Sequence, residues 1–93
     1  MKTVQECLEM LGFRAEDSVT GFKGVVTSIG FDLPGCIQAS ISPGLKADGS
    51  VGDAYWFDVN RIKITSSKPV MKQPTFTMAI EDTSGPMVKA GRY

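Results

Sequence analysis

The fold is indicated most clearly by one stretch of the chain, Val25-Val26-Thr27-Ser28-Ile29-Gly30-Phe31-Asp32. Its odd-numbered positions are mainly large and apolar, and its even-numbered positions are mainly small or polar. A β-strand places successive side chains on opposite faces, so a period of two is typical of a strand with one buried face. We therefore predict a strand here, with Val25, Ile29 and Phe31 facing a core.

Further short segments alternate in the same way, at residues 37–42, 55–60 and 62–64. Turn-forming residues separate them. Leu33-Pro34-Gly35 precedes the first, and a glycine-rich stretch at residues 43–52 precedes the second. The spacing is that of antiparallel strands that follow one another along the chain.

Short strands joined by tight turns and bent by glycines are typical of a small closed barrel, which leaves few open sheet edges. We predict a mainly β protein in which residues 18–65 form an antiparallel barrel. The first choice is an SH3-like barrel and the alternative is an OB-like barrel. The predicted core contains Val25, Ile29, Phe31, Ile37, Ile41, Phe57 and Ile62.

A short amphipathic helix is predicted near residues 3–12. Thr3 and Glu6 have the spacing of a capping box, and Gly12 suits the end of the helix. The apolar stripe has the helical spacing i, i+3, i+4, i+7 and consists of Val4, Cys7, Leu8 and Leu11.

The chain changes character after Ser66. Residues 66–73 resemble a linker, alternation predicts another strand near residues 75–80, and the remainder has the composition of an extended tail. We therefore divide the chain into a barrel domain with its helix, residues 1–66, and a linker and tail, residues 67–93.

The composition excludes several kinds of chemistry. None of the 93 residues is histidine, which rules out Ser-His-Asp and Cys-His catalysis and histidine-containing zinc sites. Ten acidic and ten basic residues cancel, which disfavours nucleic acid and membrane surfaces as partners. We expect no catalytic residue, no cofactor and no metal.

The N-terminal residues lack the apolar core of a signal peptide, and no apolar run approaches the roughly 20 residues of a membrane span. A cytoplasmic location is therefore expected, where disulfides are rare. Cys7 and Cys36 are accordingly expected to be free thiols, both buried as small hydrophobic residues.

Three segments carry a resemblance to known proteins: residues 17–27, the run Gly35-Cys36-Ile37-Gln38, and Trp56-Phe57-Asp58. Over roughly residues 16–64 the chain resembles a group of small proteins encoded by tailed phages and prophages. The resemblance implies an SH3-like barrel and a viral origin, and it supplies no activity. Residues 17–27 also resemble the strand-glycine-strand core of KOW modules.

Candidate binding residues lie in two parts of the chain. The run Thr20-Gly21-Phe22-Lys23-Gly24 offers flexible backbone amides and a positive charge to a phosphate, although its glycines can equally serve the curvature of a barrel. Trp56 can stack on a base, bury itself in a protein contact or pack within the chain. Arg61 and Lys63 share a face if one strand holds both. The candidate ligand-binding residues are Gly21, Phe22, Lys23, Gly24, Trp56 and Arg61.

These observations predict a non-catalytic, phage-encoded binding protein that inhibits or sequesters a host factor. The ligand is either a host protein or a nucleotide-like immune signal, in which case the protein counters host defence. A second possibility is a nucleic-acid-binding module of KOW or OB type. A third is a minor component of the virion or of its assembly.

A homo-oligomer is expected because the stripe of the helix near residues 3–12 and the apolar face of a strand near residues 75–80 both need cover. The alternative is that the helix and the tail fold back on their own barrel. Residues 66–73 would carry the tail strand to the open sheet edge of a neighbouring copy. Sites between copies would then combine Lys23, Trp56 and Arg61 from different chains.

Overall fold

A computed structural model describes residues 3–76 of the chain. One short helix precedes five antiparallel strands that form a single sheet, in the order β4-β3-β2-β1-β5. The predicted mainly β fold with an N-terminal helix is confirmed. The elements are α1 (Val4–Leu8), β1 (Arg14–Asp17), β2 (Lys23–Phe31), β3 (Ile37–Ser42), β4 (Tyr55–Asp58), a 3-10 turn (Val59–Arg61) and β5 (Ile62–Ile64).

The strand order makes the sheet barrel-like, since the 3-10 turn after β4 brings β5 back beside β1. Four strands in succession followed by such a return form the small barrel-like sheet that the sequence predicted. Close approach of neighbouring strands depends on Gly24, because a Cβ at this position would collide with the carbonyl group of Ser42 and would lie 2.8 Å from Cγ2 of Ile41.

Strand β1 was not predicted, since the barrel was expected to begin at residue 18. Its sequence, Arg14-Ala15-Glu16-Asp17, contains no β-branched or aromatic residue, so it lacks the composition that indicates a strand. It is a strand because it pairs with β2 on one side and with β5 on the other. These partners, not local preference, determine its conformation.

A β-bulge in β2 changes the predicted alternation. Val26 pairs with Ile41 of β3, but Ser28 pairs with Ser40, so Thr27 is an extra residue in its strand. Side chains before and after the bulge therefore follow different phases of the alternation. One extra residue reverses which face each later side chain occupies.

The bulge places Val26, which is 1% exposed, in the core where Val25 was expected. The predicted core positions Val25 and Phe31 are wrong: Val25 is only partly buried and Phe31, at the end of its strand, is 53% exposed. Ile41 and Ile62 are confirmed as buried, and Ile29, Ile37 and Phe57 pack against the core while partly exposed. The buried hydrophobic residues are Cys7, Met10, Ala15, Val26, Ala39, Ile41, Val59 and Ile62.

The helix begins as predicted. The Glu6 amide donates to Oγ1 of Thr3 at 3.1 Å, and the Thr3 amide donates to Oε1 of Glu6 at 2.8 Å, which completes the capping box. The helix is shorter than predicted and ends at Leu8. The helix contributes Cys7 to the core of its own chain, and Met10, two residues after the helix ends, belongs to the same core.

The two cysteines differ in environment, and they are not joined by a disulfide bond. Cys7 is buried as expected, whereas Cys36 is exposed, so the prediction that both are buried is wrong. Cys36 lies just before β3, in the turn that follows Phe31, and this turn projects beyond the core.

The segment after β5 folds back over the start of the chain. The Val70 amide donates to the carbonyl of Gly12 at 2.8 Å, and Nε2 of Gln73 donates to the carbonyls of Glu9 and Leu11, both at 2.7 Å. These donors bond to the backbone carbonyls that follow α1, where no further helical turn supplies partners. The homo-oligomer stays a prediction. Most of the predicted strand near residues 75–80 lies outside the described residues.

Candidate functional site

The end of β1 is joined to the 3-10 turn by an ion pair between a buried aspartate and a partly exposed arginine. Nε and Nη2 of Arg61 donate to Oδ1 and Oδ2 of Asp17 at 2.8 and 2.7 Å, so each carboxylate oxygen receives one bond from the guanidinium. The Asp17 side chain is 0% exposed and that of Arg61 is 40% exposed. This two-point geometry holds the charged groups in a fixed orientation.

Thr20 adds two further hydrogen bonds to the same carboxylate, from its amide at 2.9 Å and from its hydroxyl at 2.6 Å, both to Oδ2. Hydrogen bonds from Arg61 hold the pKa of Asp17 well below its usual range, and those from Thr20 act in the same direction against the effect of burial. The same pairing raises the pKa of Arg61. We refer to Asp17, Thr20 and Arg61 as the latch.

Three aromatic rings lie beside the latch, where β4 faces the turn between β1 and β2. The Phe22 ring is 5.5 Å from the Tyr55 ring, edge to face at 89°, and 5.6 Å from the Phe57 ring. Cζ of Arg61 lies 5.5 Å from the centroid of Phe57, within the range of a cation–π contact. We call Phe22, Tyr55 and Phe57 the aromatic shelf. Tyr55 is 54% exposed, so the shelf is open to a partner.

The glycine-containing run forms the turn that supports this shelf. Gly21 has a φ of 80°, a left-handed conformation that favours glycine, and its amide donates to the carbonyl of Asp17 at 2.8 Å. The Phe22 amide donates to Oγ1 of Thr20 at 3.2 Å. Because these amides are bonded inside the turn, they are not presented to a phosphate.

The remaining candidates do not join the shelf. Lys23 and Trp56 both point outward, but the Trp56 indole lies on Gly30, seven residues along β2 from Lys23, or about 23 Å of extended strand. Arg61 and Lys63 do not share a face. The Arg61 side chain turns inward to Asp17, whereas Lys63 lies opposite Glu16 in the register of β5 and β1, on the outside of the sheet. Of the six predicted residues, the structure brings together Phe22 and Arg61, beside Gly21.

Sequence reasoning missed the role of Asp17. Its signal was present in the spacing Asp17-Ser18-Val19-Thr20, which suits a turn in which the aspartate accepts from the threonine three residues later. Tyr55 was not among the candidate binding residues, yet its exposed ring lies on the rim of the shelf. The position of β4 at the sheet edge leaves this side chain without a neighbouring strand to cover it.

The arrangement offers a surface for contact with a partner. Arg61 is already engaged by Asp17, and the shelf offers flat apolar surface with one phenol hydroxyl. Among residues 3–76, no group of three or more His, Cys, Asp or Glu side chains is placed to hold a metal ion. Over the same range, no helix has the length and apolar character needed to cross a membrane.

Comparisons with protein-family models, with curated proteins and with solved structures find no match to this chain.

Proposed function

We propose that this chain is a non-catalytic binding protein, encoded by a phage, that acts by occupying a host protein in the host cytoplasm. One observation carries the proposal: the half-exposed Tyr55 ring belongs to an aromatic shelf that the Asp17–Arg61 ion pair holds in place. The resemblance to small phage proteins supports the setting.

A rigid aromatic surface is suited to a protein partner. Tyrosine supplies a large contact area with few rotatable bonds, and residues that dominate binding energy are enriched in tyrosine, tryptophan and arginine. Here Phe22 fixes the Tyr55 ring from one side, and Arg61 contacts Phe57 while keeping two-fifths of its own side chain exposed. The shelf therefore loses little conformational freedom when a partner covers it.

A nucleotide-like ligand is supported less well. It would need backbone donors, an available cation and a stacking aromatic on one side of the site. In a single chain Arg61 is paired with Asp17, the turn amides are engaged, and Lys23 is remote from Trp56. Sequestration of an immune signal would need these groups from several copies of the chain.

A nucleic-acid module and a virion component make different demands on the surface. A nucleic-acid module would interleave basic and aromatic side chains, but the outward residues around Trp56 include Asp58 and no basic residue. A virion or assembly component shares the expectation of a stable protein partner, and differs only in that the partner is itself encoded by the phage.

The test is recovery of a partner by the affinity-tagged full chain produced in bacterial cells, followed by native mass spectrometry. Wild type is compared with Tyr55→Ser, which removes the exposed ring, and with Leu33→Ser, a matched control at a fully exposed apolar residue in a distant turn. A stoichiometric protein held by wild type and Leu33→Ser but lost from Tyr55→Ser supports the proposal. A nucleotide released by heat, with no bound protein, supports sequestration of a signal instead.

A further inference from the structure

The outer side of β2, β3 and β4 carries an acidic face. Strand pairing aligns Gly30 with Gln38 and Asp58, and aligns Ser28 with Ser40 and Trp56. Asp32 is the next outward position after Gly30. Among residues 3–76, the positions aligned on this face include two carboxylates and no basic residue. We define the acidic face as Ser28, Gly30, Asp32, Gln38, Ser40, Trp56 and Asp58.

The centre of the acidic face contains a half-exposed indole and a buried hydroxyl that has no hydrogen-bond partner within residues 3–76. The Trp56 indole lies against Gly30, where a Cβ would be 3.2 Å from Cζ3, yet the side chain remains 51% exposed. Ser40, directly opposite on β3, is only 6% exposed, and its hydroxyl has no hydrogen-bond partner within residues 3–76. A buried hydroxyl without a partner is unfavourable, so this position is suited to a polar group supplied from outside.

The outer side of β1 and its neighbours carries the opposite charge. Strand pairing places Glu16 between Lys23 of β2 and Lys63 of β5, and Arg14 is the next outward residue of β1. The three basic side chains are exposed. We define the basic face as Arg14, Glu16, Lys23 and Lys63, with three basic residues against one acidic residue.

We infer that the acidic face of one copy binds the basic face of a second copy. The excess of two positive charges on one face matches the two carboxylates on the other, which explains how a chain of zero net charge presents two strongly different surfaces. A lysine or arginine from the second copy would lie over the indole, pair with Asp58 or Asp32, and bring a donor to Ser40.

This contact is head to tail, because the two faces are different parts of the surface of the same barrel. Repetition produces a ring or an open chain of copies. The contact uses the outside of the sheet and leaves the aromatic shelf free, so it does not depend on the proposed host-protein function. It also differs from an interface built by the helix and the tail.

The test is sedimentation velocity on the full chain over a range of micromolar concentrations and salt concentrations. Wild type should associate as concentration rises and dissociate as salt rises. Asp32→Lys and Lys23→Glu should each weaken association about tenfold, because attraction between exposed charges becomes repulsion. Asp32 is chosen because its side chain makes no hydrogen bond within residues 3–76. Asp53→Lys, an exposed aspartate outside both faces, is the matched control.

An equimolar mixture of Asp32→Lys and Lys23→Glu should associate better than either variant alone, because each supplies the intact face that the other lacks. Trp56 is the only tryptophan, so its emission should shift to shorter wavelength as wild type associates. A wild-type monomer at every concentration would overturn the inference. Association that both charge variants leave unchanged would overturn it too, and would indicate another interface.

Discussion

Arg61 holds Asp17 through two hydrogen bonds of 2.8 and 2.7 Å, although the residues are 44 positions apart in the chain. Asp17 ends β1, and Arg61 ends the 3-10 turn that leads into β5. The ion pair therefore joins the first strand to the segment that returns the last strand beside it. It also positions the guanidinium over Phe57, so stability and the shape of the aromatic shelf depend on the same contact.

Replacing Asp17 by asparagine should destabilise the fold. The side chain keeps its size but loses its charge, and Arg61 then lies beside a neutral amide instead of a carboxylate. The urea midpoint should fall well below that of wild type, with an unchanged slope. Asp53→Asn removes an exposed carboxylate and should leave the midpoint close to wild type. Equal midpoints for the two variants would show that the latch does not stabilise the barrel.

Stability should decrease in acid because of the same carboxylate. The pKa of Asp17 in the folded state lies below its value in the unfolded chain, which is about 3.9. The unfolded chain therefore binds the proton more readily, and the stabilisation present above about pH 4 is lost as the pH falls toward the folded pKa. Urea midpoints from pH 7 to pH 2 should fall for wild type and converge with those of Asp17→Asn. If the urea midpoints of wild type and Asp17→Asn fell in parallel with pH, Asp17 would not be the carboxylate responsible for the loss of stability in acid.

The bulge at Thr27 predicts different effects for two adjacent valines. Val26→Ala should cost about 2 kcal/mol, because the residue is 1% exposed and its loss leaves a cavity. Val25→Ala should cost less than about 1 kcal/mol, since that side chain is on the other face and only partly buried. Urea unfolding of both variants measures the difference. A larger loss of stability for Val25→Ala than for Val26→Ala would place the bulge elsewhere in β2.

Gly24→Ala should destabilise the barrel by about 1–3 kcal/mol, because its Cβ would meet the Ser42 carbonyl and force β2 and β3 apart. Gly35→Ala would not be a matched control, since Gly35 has a φ of 98° and its substitution adds backbone strain. Gly30→Ala is the better comparison. Its Cβ meets only the exposed indole of Trp56, which can move, so it should change tryptophan emission with a smaller loss of stability. A larger loss of stability for Gly30→Ala than for Gly24→Ala would contradict the expected order of the two variants.

The two cysteines should react with thiol reagents at very different rates. Cys36 is exposed and should be modified in the native protein, whereas Cys7 is buried and should react only after unfolding. A chromogenic disulfide reagent, used with and without urea, measures both. Cys36→Ser should abolish the fast reaction, and rapid native labelling of Cys7 would show that the helix opens easily from the sheet.

Much of the fold could be predicted from local patterns. The capping box of Thr3 and Glu6 depends on residues three positions apart, and it forms as predicted. The turn around Gly35 and the strands at residues 37–42 and 55–58 likewise follow from nearby residues. In each case the interacting groups are close in sequence, so the chain has little choice of local conformation.

The sequence by itself therefore determined the β class, the capped helix and most of the turns. Only the tertiary structure decided the phase of β2 beyond Thr27, the existence of β1 and the pairing of Asp17 with Arg61. The bulge forms where two strands must match each other, β1 is a strand only because two neighbours pair with it, and the latch joins residues that folding brings together. These features depend on contacts between distant segments, and no period or spacing within one segment encodes them.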